Sequence, residues 1–570
     1  MCAQLPQRIV ISVLDQAPSQ EVMALRSTLG TSEMAIDKFT EGRKRTRICF
    51  LHGLPDEAGT GAFTKRGYQL EPFAAKQRRD ENLAITDSVV ITQSAVNLKG
   101  IHRDLERYAR KLLEFDCRLY VRIASNLNLQ GRERTTVVNV IRKLDLPGAG
   151  LNSAERATFP QDQPDWEGNP LAPYVCVCDS SWSWDFLAQL IAYNSSGKPP
   201  NLHLVPEART AAGKKLKLGR ESTLLLRRAF EDCSEVHLEQ MQDGLSGVSV
   251  FRAHAKVAGA LVGKEWWSSY FVKIGARRKI AREFEKYQAY ALRYIPFNLA
   301  PRLTLERCGL GARQGIIVGD FVEQSEALGD SAKKGRSAHA LGTLFTRTME
   351  AWRHGASEAD RSISDILSAE LLRLEIDIPE TRKAQIRALG GKADLDRIRF
   401  LLHKCDKKPV LVGTVHGDLN ASNILVRLSD AILIDFEKLR RDWPLLYDAA
   451  SVEAGLLVGG FLDDKRDIPV WLKSIEALYQ SEEMFEYRAP CHPKDASAWF
   501  HDCVRVIRIH ARQMELRRWQ YATALGLALV KKSCNECIFD DRRDWLRAAA
   551  YVLGERILEF VVAAYNKGGV

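Results

Sequence analysis

From residue 8 the chain alternates short apolar runs with longer stretches of helical period. RIVISVL, RICFLHGL, DSVVITQSAV, RLYVRIAS and YVCVCDSS are each brief and apolar, bounded by polar or turn residues, as strands covered on both faces are. Between the third and fourth lies GIHRDLERYARKLLEFD, in which Ile101, Leu105, Tyr108, Leu112 and Phe115 recur at helical spacing. This alternation predicts an α/β layer with a mainly parallel sheet over residues 1–205. Asp15 and Asp179 close the first and last runs, at the carboxyl edge where such sheets bind ligands, although Asp is also a common turn and cap residue. Neither a GxGxxG, nor a Walker A loop, nor a full set of receiver carboxylates is present, so the layer reads as Rossmann-like or receiver-like with its ligand open.

Two stretches rich in Pro, Gly and polar residues follow, LPGAGLNSAERATFPQDQPDWEGNP and SSGKPPNLHLVPEARTAAGKKLKLG. The second carries the basic run KKLKLGR at 214–220, and residues 206–230 are expected to be an exposed basic linker. EVHLEQMQDGLSGVSVFRA then reads as strand, turn and strand. SYFVKIG is a further strand leading directly into the helix RRKIAREFEKYQAYALRYI. After residue 330 helical period dominates, interrupted by strands around LVGTVHG, SNILV and AILIDFE.

Length changes the picture first: 570 residues exceed what one core supports, so two to four domains are expected. Lys and Arg total 82 against 72 Asp and Glu, a net charge of +10 that suits anionic partners such as nucleotides without indicating DNA. The basic run reads as solvated surface, and nucleic acid is not expected as a partner. Twelve cysteines are scattered without a framework, and MCAQLPQRIV lacks the basic start and apolar core of a secretory signal, so a cytoplasmic location with reduced thiols is expected. No uncharged apolar run approaches the length of a spanning helix, so no membrane partner is expected. CNEC at 534–537, with Cys491, His492, His501 and Cys503 upstream, offers soft ligands for zinc, but the spacing matches no familiar knuckle and the region keeps helical period. Free thiols on packed helices are the expectation there, and whether Cys534 and Cys537 bind metal stays open. Trp266 and Trp267 read as core aromatics.

The chemistry concentrates in GTVHGDLNASNILV, residues 413–426. Asp418 lies five positions before Asn423, and Asp435 follows the apolar AILI. A carboxylate for a hydroxyl and two oxygen ligands for a magnesium ion need those residue types on a loop and an adjoining hairpin. HGDxxxxN followed by a strand ending in IDFE resembles the catalytic and metal-binding loops of the aminoglycoside phosphotransferase and choline kinase group of the protein kinase-like superfamily. That resemblance implies a bilobal α+β kinase-like domain with a helical C-lobe, an N-lobe over 231–328 and a C-lobe over 329–570. It implies that Asp418 engages the acceptor hydroxyl, that His416 braces the loop, and that Asn423 and Asp435 hold magnesium. Lys273 in FVKIG matches the strand lysine that contacts the phosphates of ATP, and the helix after it must offer that lysine a carboxylate. Ile280, Phe284 and Tyr287 form the apolar stripe; Glu283 borders it while Glu285 lies about two hundred degrees further round, so Glu283 is the expected partner.

Gly244 and Gly247 in GLSG would let backbone amides approach the phosphates, although GLSG departs from GxGxxG and a plain hairpin turn would look the same. Phe321, Val322 and Glu323 resemble the hinge, where backbone rather than side-chain groups would meet adenine. Asp448 in YDAAS matches the aspartate that ties the loop to the first C-terminal helix, and no APE-ended activation segment is present. More narrowly, VHGDLNASNILV, FVKIG and the N-terminal α/β region resemble the phosphotransferase-like ternary complex associated domain of bacterial conflict systems, whose members are associated with an AAA+ ATPase and a von Willebrand A protein. The implied activity is ATP- and Mg-dependent transfer of the γ-phosphoryl group to a hydroxyl acceptor that the sequence does not name. Two alternatives remain open at this stage: a pseudokinase or nucleotide-sensing module that regulates a partner without turnover, and a nucleic-acid effector acting through the basic run.

Overall fold

A computed structural model describes residues 45–74, 79–92, 107–108, 111–112, 115, 117–123, 175–179, 182–193, 195, 197–241, 248–258, 265–311, 314–373, 378–405, 408–459, 468–479, 497–534 and 541–566. These divide into two compact units: residues up to Glu285 together with Arg302–Phe321, and Lys286–Pro301 together with residues from Val322 onward.

The first unit contains the expected α/β layer. Strands β1 (Arg47–Leu51), β2 (Gln69–Pro72), β3 (Thr86–Thr92), β4 (Arg118–Ile123) and β5 (Val175–Asp179) form one sheet in the order β2-β1-β3-β4-β5, and every neighbouring pair is parallel. Ile48, Phe50, Val90, Tyr120 and Cys176 pack against Phe63 of α1 (Glu57–Thr64) and Leu187, Leu190 and Ile191 of α2 (Trp184–Tyr193). Helices supply the cover that a parallel sheet needs, which is why these strands are continuous apolar runs without polar alternation. The run RIVISVL, Asp15 and most of the helix expected around Ile101–Phe115 lie outside the described residues.

A second sheet of seven strands has the order β11-β12-β10-β9-β8-β6-β7. Its members are β6 (Glu207–Arg209), β7 (Lys215–Leu216), β8 (Cys233–Gln240), β9 (Ser249–Ala258), β10 (Glu265–Ala276), β11 (Gly309–Leu310) and β12 (Gln314–Asp320), antiparallel throughout except where β6 runs parallel to β8. Residues 206–230, expected as a linker, are therefore built into this sheet. β6 and β7 extend one edge, and α3 (Arg220–Ala229) puts Leu225, Leu226 and Ala229 into the core with Val236, Phe251, Val272 and Val318. The run KKLKLG is an edge strand with its surroundings: Leu216 and Leu218 pack inward while Lys215 is exposed, and lysine on an edge blunts pairing with other chains.

Helix α4 (Arg277–Lys286) leaves β10 without a loop. Its first residue, Arg277, donates to the Gly311 carbonyl at 2.5 Å, and Arg118 of the parallel sheet donates to the same oxygen at 3.4 Å. One carbonyl between β11 and β12 thus ties α4 to the α/β layer.

The second unit carries β13 (Glu326–Ala327) paired with the hairpin β16 (Ile424–Arg427) and β17 (Asp430–Leu433), and a sheet in the order β14 (Ser357–Ser362), β15 (Pro409–Val415), β18 (Arg440–Pro444). Most of it is helical, with α5 (Leu446–Gly459), α6 (Ala498–Arg512), α7 (Gln520–Cys534) and α8 (Asp541–Asn566). All of α5 from Leu446 to Val458 is buried. The buried Glu453 on it accepts from Arg508 of α6 at 2.6 Å and from the Tyr521 hydroxyl of α7 at 2.7 Å, so one charged residue pins three helices. Among the described residues no helix is long and apolar enough to cross a membrane.

Candidate active site

In the first unit Lys273 lies on the interior strand β10, between Ile317 of β12 and Val250 of β9. Strand alternation sends its neighbours Val272 and Ile274 into the core, and Lys273 to the opposite face, where it is 7% exposed. Its Nζ meets Glu283 Oε2 at 2.6 Å, and both side chains are almost fully enclosed. Ile280 and Phe284 bury the stripe of α4 beside Glu283, whereas Glu285 falls on a less buried face. Enclosing two charges costs several kcal/mol of hydration per ion, about as much as their attraction returns, so stability alone gives little reason for the pair. Phe321 donates its N–H to the Ser269 carbonyl at 3.4 Å, Val322 accepts at its carbonyl from Ser325 Oγ at 2.7 Å, and Glu323 is exposed. Two of the backbone groups expected to meet adenine thus have protein partners. Gly244 and Gly247 lie outside the described residues.

In the second unit β15 delivers the chain to His416, and the loop from there to Asn423 is held at both ends. The His416 N–H donates to Asp448 Oδ2 at 2.6 Å and the Gly417 N–H to Asp448 Oδ1 at 3.0 Å. Asp448 is fully buried in the first turn of α5, and burial pushes its carboxyl above the usual range against the opposing pull of His416 and those two amides. Gly417 has φ +78°, and a Cβ there would collide with the Lys438 carbonyl, so only glycine suits the turn. The fully buried His416 ring contacts the Ile434 carbonyl through Nε2 at 2.9 Å; with the proton on Nε2 it donates, and Nδ1 has no partner among the described residues. His416 thus ties the start of the loop to the hairpin.

The hairpin register sets the other two residues. Ile424 faces Leu433, so Asn423 falls opposite Ile434, whose N–H donates to the Asn423 carbonyl at 3.1 Å. Asp435 comes next. The Asn423 side chain donates through Nδ2 to the Asp418 carbonyl at 2.9 Å, which fixes the amide's orientation and leaves Oδ1 as its acceptor. Asp435 has φ 65° and ψ 75°, a left-handed conformation uncommon for a residue with a side chain and concentrated at functional sites. Asp418, its carboxyl partly exposed, lies in the same loop. The second unit thus brings Asp418, Asn423, Asp435 and His416 together around one loop and hairpin. Asn423 Oδ1 and the Asp435 carboxylate are hard oxygen donors of the kind magnesium takes, few in number because the ion keeps water and phosphate as its other ligands.

Of the candidate zinc residues, only His501, Cys503 and Cys534 are described. Cys491, His492 and Cys537 lie outside the described residues; His501 Nε2 meets the Ser474 carbonyl at 3.1 Å and Cys503 Sγ lies 3.0 Å from Ser337 Oγ. Among the described residues no group of three or more His, Cys, Asp or Glu is placed to hold a metal. Trp266 and Trp267, read as core aromatics, are each about half exposed, with Trp267 stacked on His237 at 5.5 Å.

Residues 381–531 match the model of the family Ternary complex associated domain 9, a span that contains the loop, the hairpin and Asp448. Among solved structures the chain is similar to an amicoumacin kinase in complex with AMP-PNP and Ca²⁺, at 15% identity over 57% of this chain and 88% of that one, with a TM-score of 0.31. It is similar to an aminoglycoside phosphotransferase from Streptomyces rimosus, at 18% identity over 51% and 99% with a TM-score of 0.28. An ethanolamine kinase from Plasmodium vivax shares 12% identity over 57% and 82%, with a TM-score of 0.30. No curated protein matches the chain.

Proposed function

We propose that this chain is an ATP-dependent phosphotransferase of the kinase-like type, using magnesium and moving the γ-phosphoryl group to a hydroxyl. The observation that supports the reading is the hairpin register, in which Asn423 falls opposite Ile434, one residue before a left-handed Asp435, while Asn423 Nδ2 donates to the Asp418 carbonyl. Magnesium held by Asn423 and Asp435 would supply neutralising charge for the phosphoryl oxygens. Lys273, fixed by Glu283, would bind the nucleotide phosphates, an assignment resting on the 2.6 Å ion pair in its own unit. Asp418 would orient the acceptor hydroxyl and take its proton while the new oxygen–phosphorus bond forms and the β,γ-bridge bond breaks, leaving ADP. His416 and Asp448 hold the loop so that no reorganisation is needed as charge shifts. Work within a multiprotein assembly is the biological setting we propose from the description of the matched domain, with the AAA+ ATPase and von Willebrand A protein implied by the sequence resemblance as its partners.

The two carboxylates distinguish turnover from binding. Asp418→Asn should keep magnesium-dependent ATP binding while transfer from labelled ATP falls about 10²–10⁴-fold, the range ascribed to a positioned base. Asp435→Asn removes charge at the ion and should weaken magnesium dependence and transfer together. Calorimetry and a product assay on the same preparations check both. Full transfer by Asp418→Asn sinks the base assignment, and binding without transfer in every protein, wild type included, moves the reading to a nucleotide sensor.

A further inference from the structure

The tip of the β16–β17 hairpin carries two unfavourable features at one residue. Leu428 has φ 58°, a conformation that suits Gly or Asn in such a turn, and its side chain is 94% exposed. A second apolar side chain stands beside it. The Asn298 carbonyl accepts from Arg427 Nη2 at 3.4 Å and Asn298 Nδ2 donates to Asp430 Oδ2 at 3.2 Å, which lays this segment along the tip, and the preceding residue, Phe297, is 76% exposed. A lone exposed leucine is ordinary. Two large apolar side chains side by side, one of them in a backbone conformation it resists, call for a surface that covers them.

The same unit contains a groove of matching character, with a volume of about 490 Å³, between the helix Ser337–Thr343 and α6. Ala338 and Gly342 line it from one helix, Val506 and Ile509 from the other, each pair one turn apart. The groove is open because the first pair is small: a Cβ at Gly342 would meet no atom within 4 Å, and Ile509 is left 44% exposed. It is not a gap between splayed helices. Ser337 Oγ lies 3.0 Å from Cys503 Sγ before it, and the Phe345 and His510 rings stack at 5.4 Å beyond it, so both ends are closed by contact. Arg347 lines the groove and pairs with Asp430 of the hairpin at 3.4 Å, which makes tip and groove neighbours.

We propose that two copies of this chain associate about a two-fold axis, the Leu428–Phe297 tip of each entering the groove of the other. A tip and a groove that are neighbours on one chain are both satisfied by one such axis, and the assembly closes at a dimer. The charges fit as well. Among the described residues no carboxylate lines the groove, while the tip brings Asp430, so the pair that Arg347 makes within each chain can be exchanged for the same pair between chains. The contact does not depend on the phosphotransferase reading.

Sedimentation velocity of the full chain over a concentration series tests the contact. Wild type should pass from monomer to dimer as concentration rises. Leu428→Asn, which suits the left-handed turn, and Gly342→Leu, which fills the groove, should each weaken the dimer about tenfold or more. An equimolar mixture of these two variants should dimerise more readily than either alone, because one supplies an intact groove and the other an intact tip. Leu428→Asn should melt no earlier than wild type; if Gly342→Leu melts early, Ile509→Glu, at an exposed position, replaces it in every comparison. A wild type that stays monomeric, a dimer that survives both variants, or a mixture no better than its components each overturns the proposal.

Discussion

At the scale of single residues the Lys273–Glu283 pair is the clearest test of what the first unit is for. Both groups are enclosed and 2.6 Å apart. Truncating one strands the other, so Glu283→Ala should lose about 3–5 kcal/mol in urea unfolding. Replacing both with apolar side chains of similar volume, Lys273→Met with Glu283→Leu, should recover most of that loss while abolishing the thermal shift with ATP. A double variant no more stable than the single would show that the pair is held for structure. The choice of Glu283 was legible because a helix turns by a fixed angle per residue and Ile280 and Phe284 mark the buried side. The bond from Arg118 to the Gly311 carbonyl was not, because it joins residues remote in the chain that only tertiary packing brings together.

At the scale of elements the junction between α6 and α7 titrates. Glu515 Oε1 accepts from the Tyr521 N–H at 2.7 Å, and burial pushes its carboxyl up to about 7, against the opposing influence of that amide, Arg512 and Arg518. The folded pKa exceeds the unfolded one, so the folded state binds the proton more tightly. The resulting stability is fully present below about 4.5 and is lost as pH rises through about 7, on the order of 3 kcal/mol when complete. Glu515→Gln keeps an acceptor for Tyr521 and removes the proton. Thermal midpoints of the two proteins should agree near pH 4.5 and diverge by pH 8, wild type lower; parallel curves across that range would refute the assignment. Elements with simple signals were readable: β1, β3, β4 and β5 are apolar runs, and β10 feeds α4 without a break. β6, β7 and α3 were obscured because Pro, Gly and Lys suit an exposed connector and an edge strand alike. The leucines of KLKLG carried the deciding information, since alternate apolar positions serve a strand and are of no use to a linker.

For the whole molecule this matters to where the chain can be divided. Leu225, Leu226 and Phe230 are fully buried in the seven-stranded sheet's core, and each such side chain contributes about 1.5–3 kcal/mol. A chain beginning at residue 231 loses them together with β6 and β7, a deficit comparable to the entire stability of an ordinary domain. Its unfolding enthalpy should lack the seven-stranded sheet's share and keep that of the second unit, whereas one beginning at residue 199, which retains those elements, should keep both. A calorimetric scan of both decides, and equal enthalpies would mean that α3 is dispensable. Composition could bound the number of domains but not their seams, because burial of α3 is a property of the assembled sheet.

The peptide group of Ile434 has one further consequence, and it concerns time. Its N–H is held by Asn423 and its carbonyl by His416, and Asp435 is the next residue along the chain. A motion that swings this peptide disturbs both bonds at once, so the grip we propose for Asn423 and Asp435 on an ion and the hold on the loop would be coupled in time. Residence of an ion held there would then follow how seldom this small knot loosens.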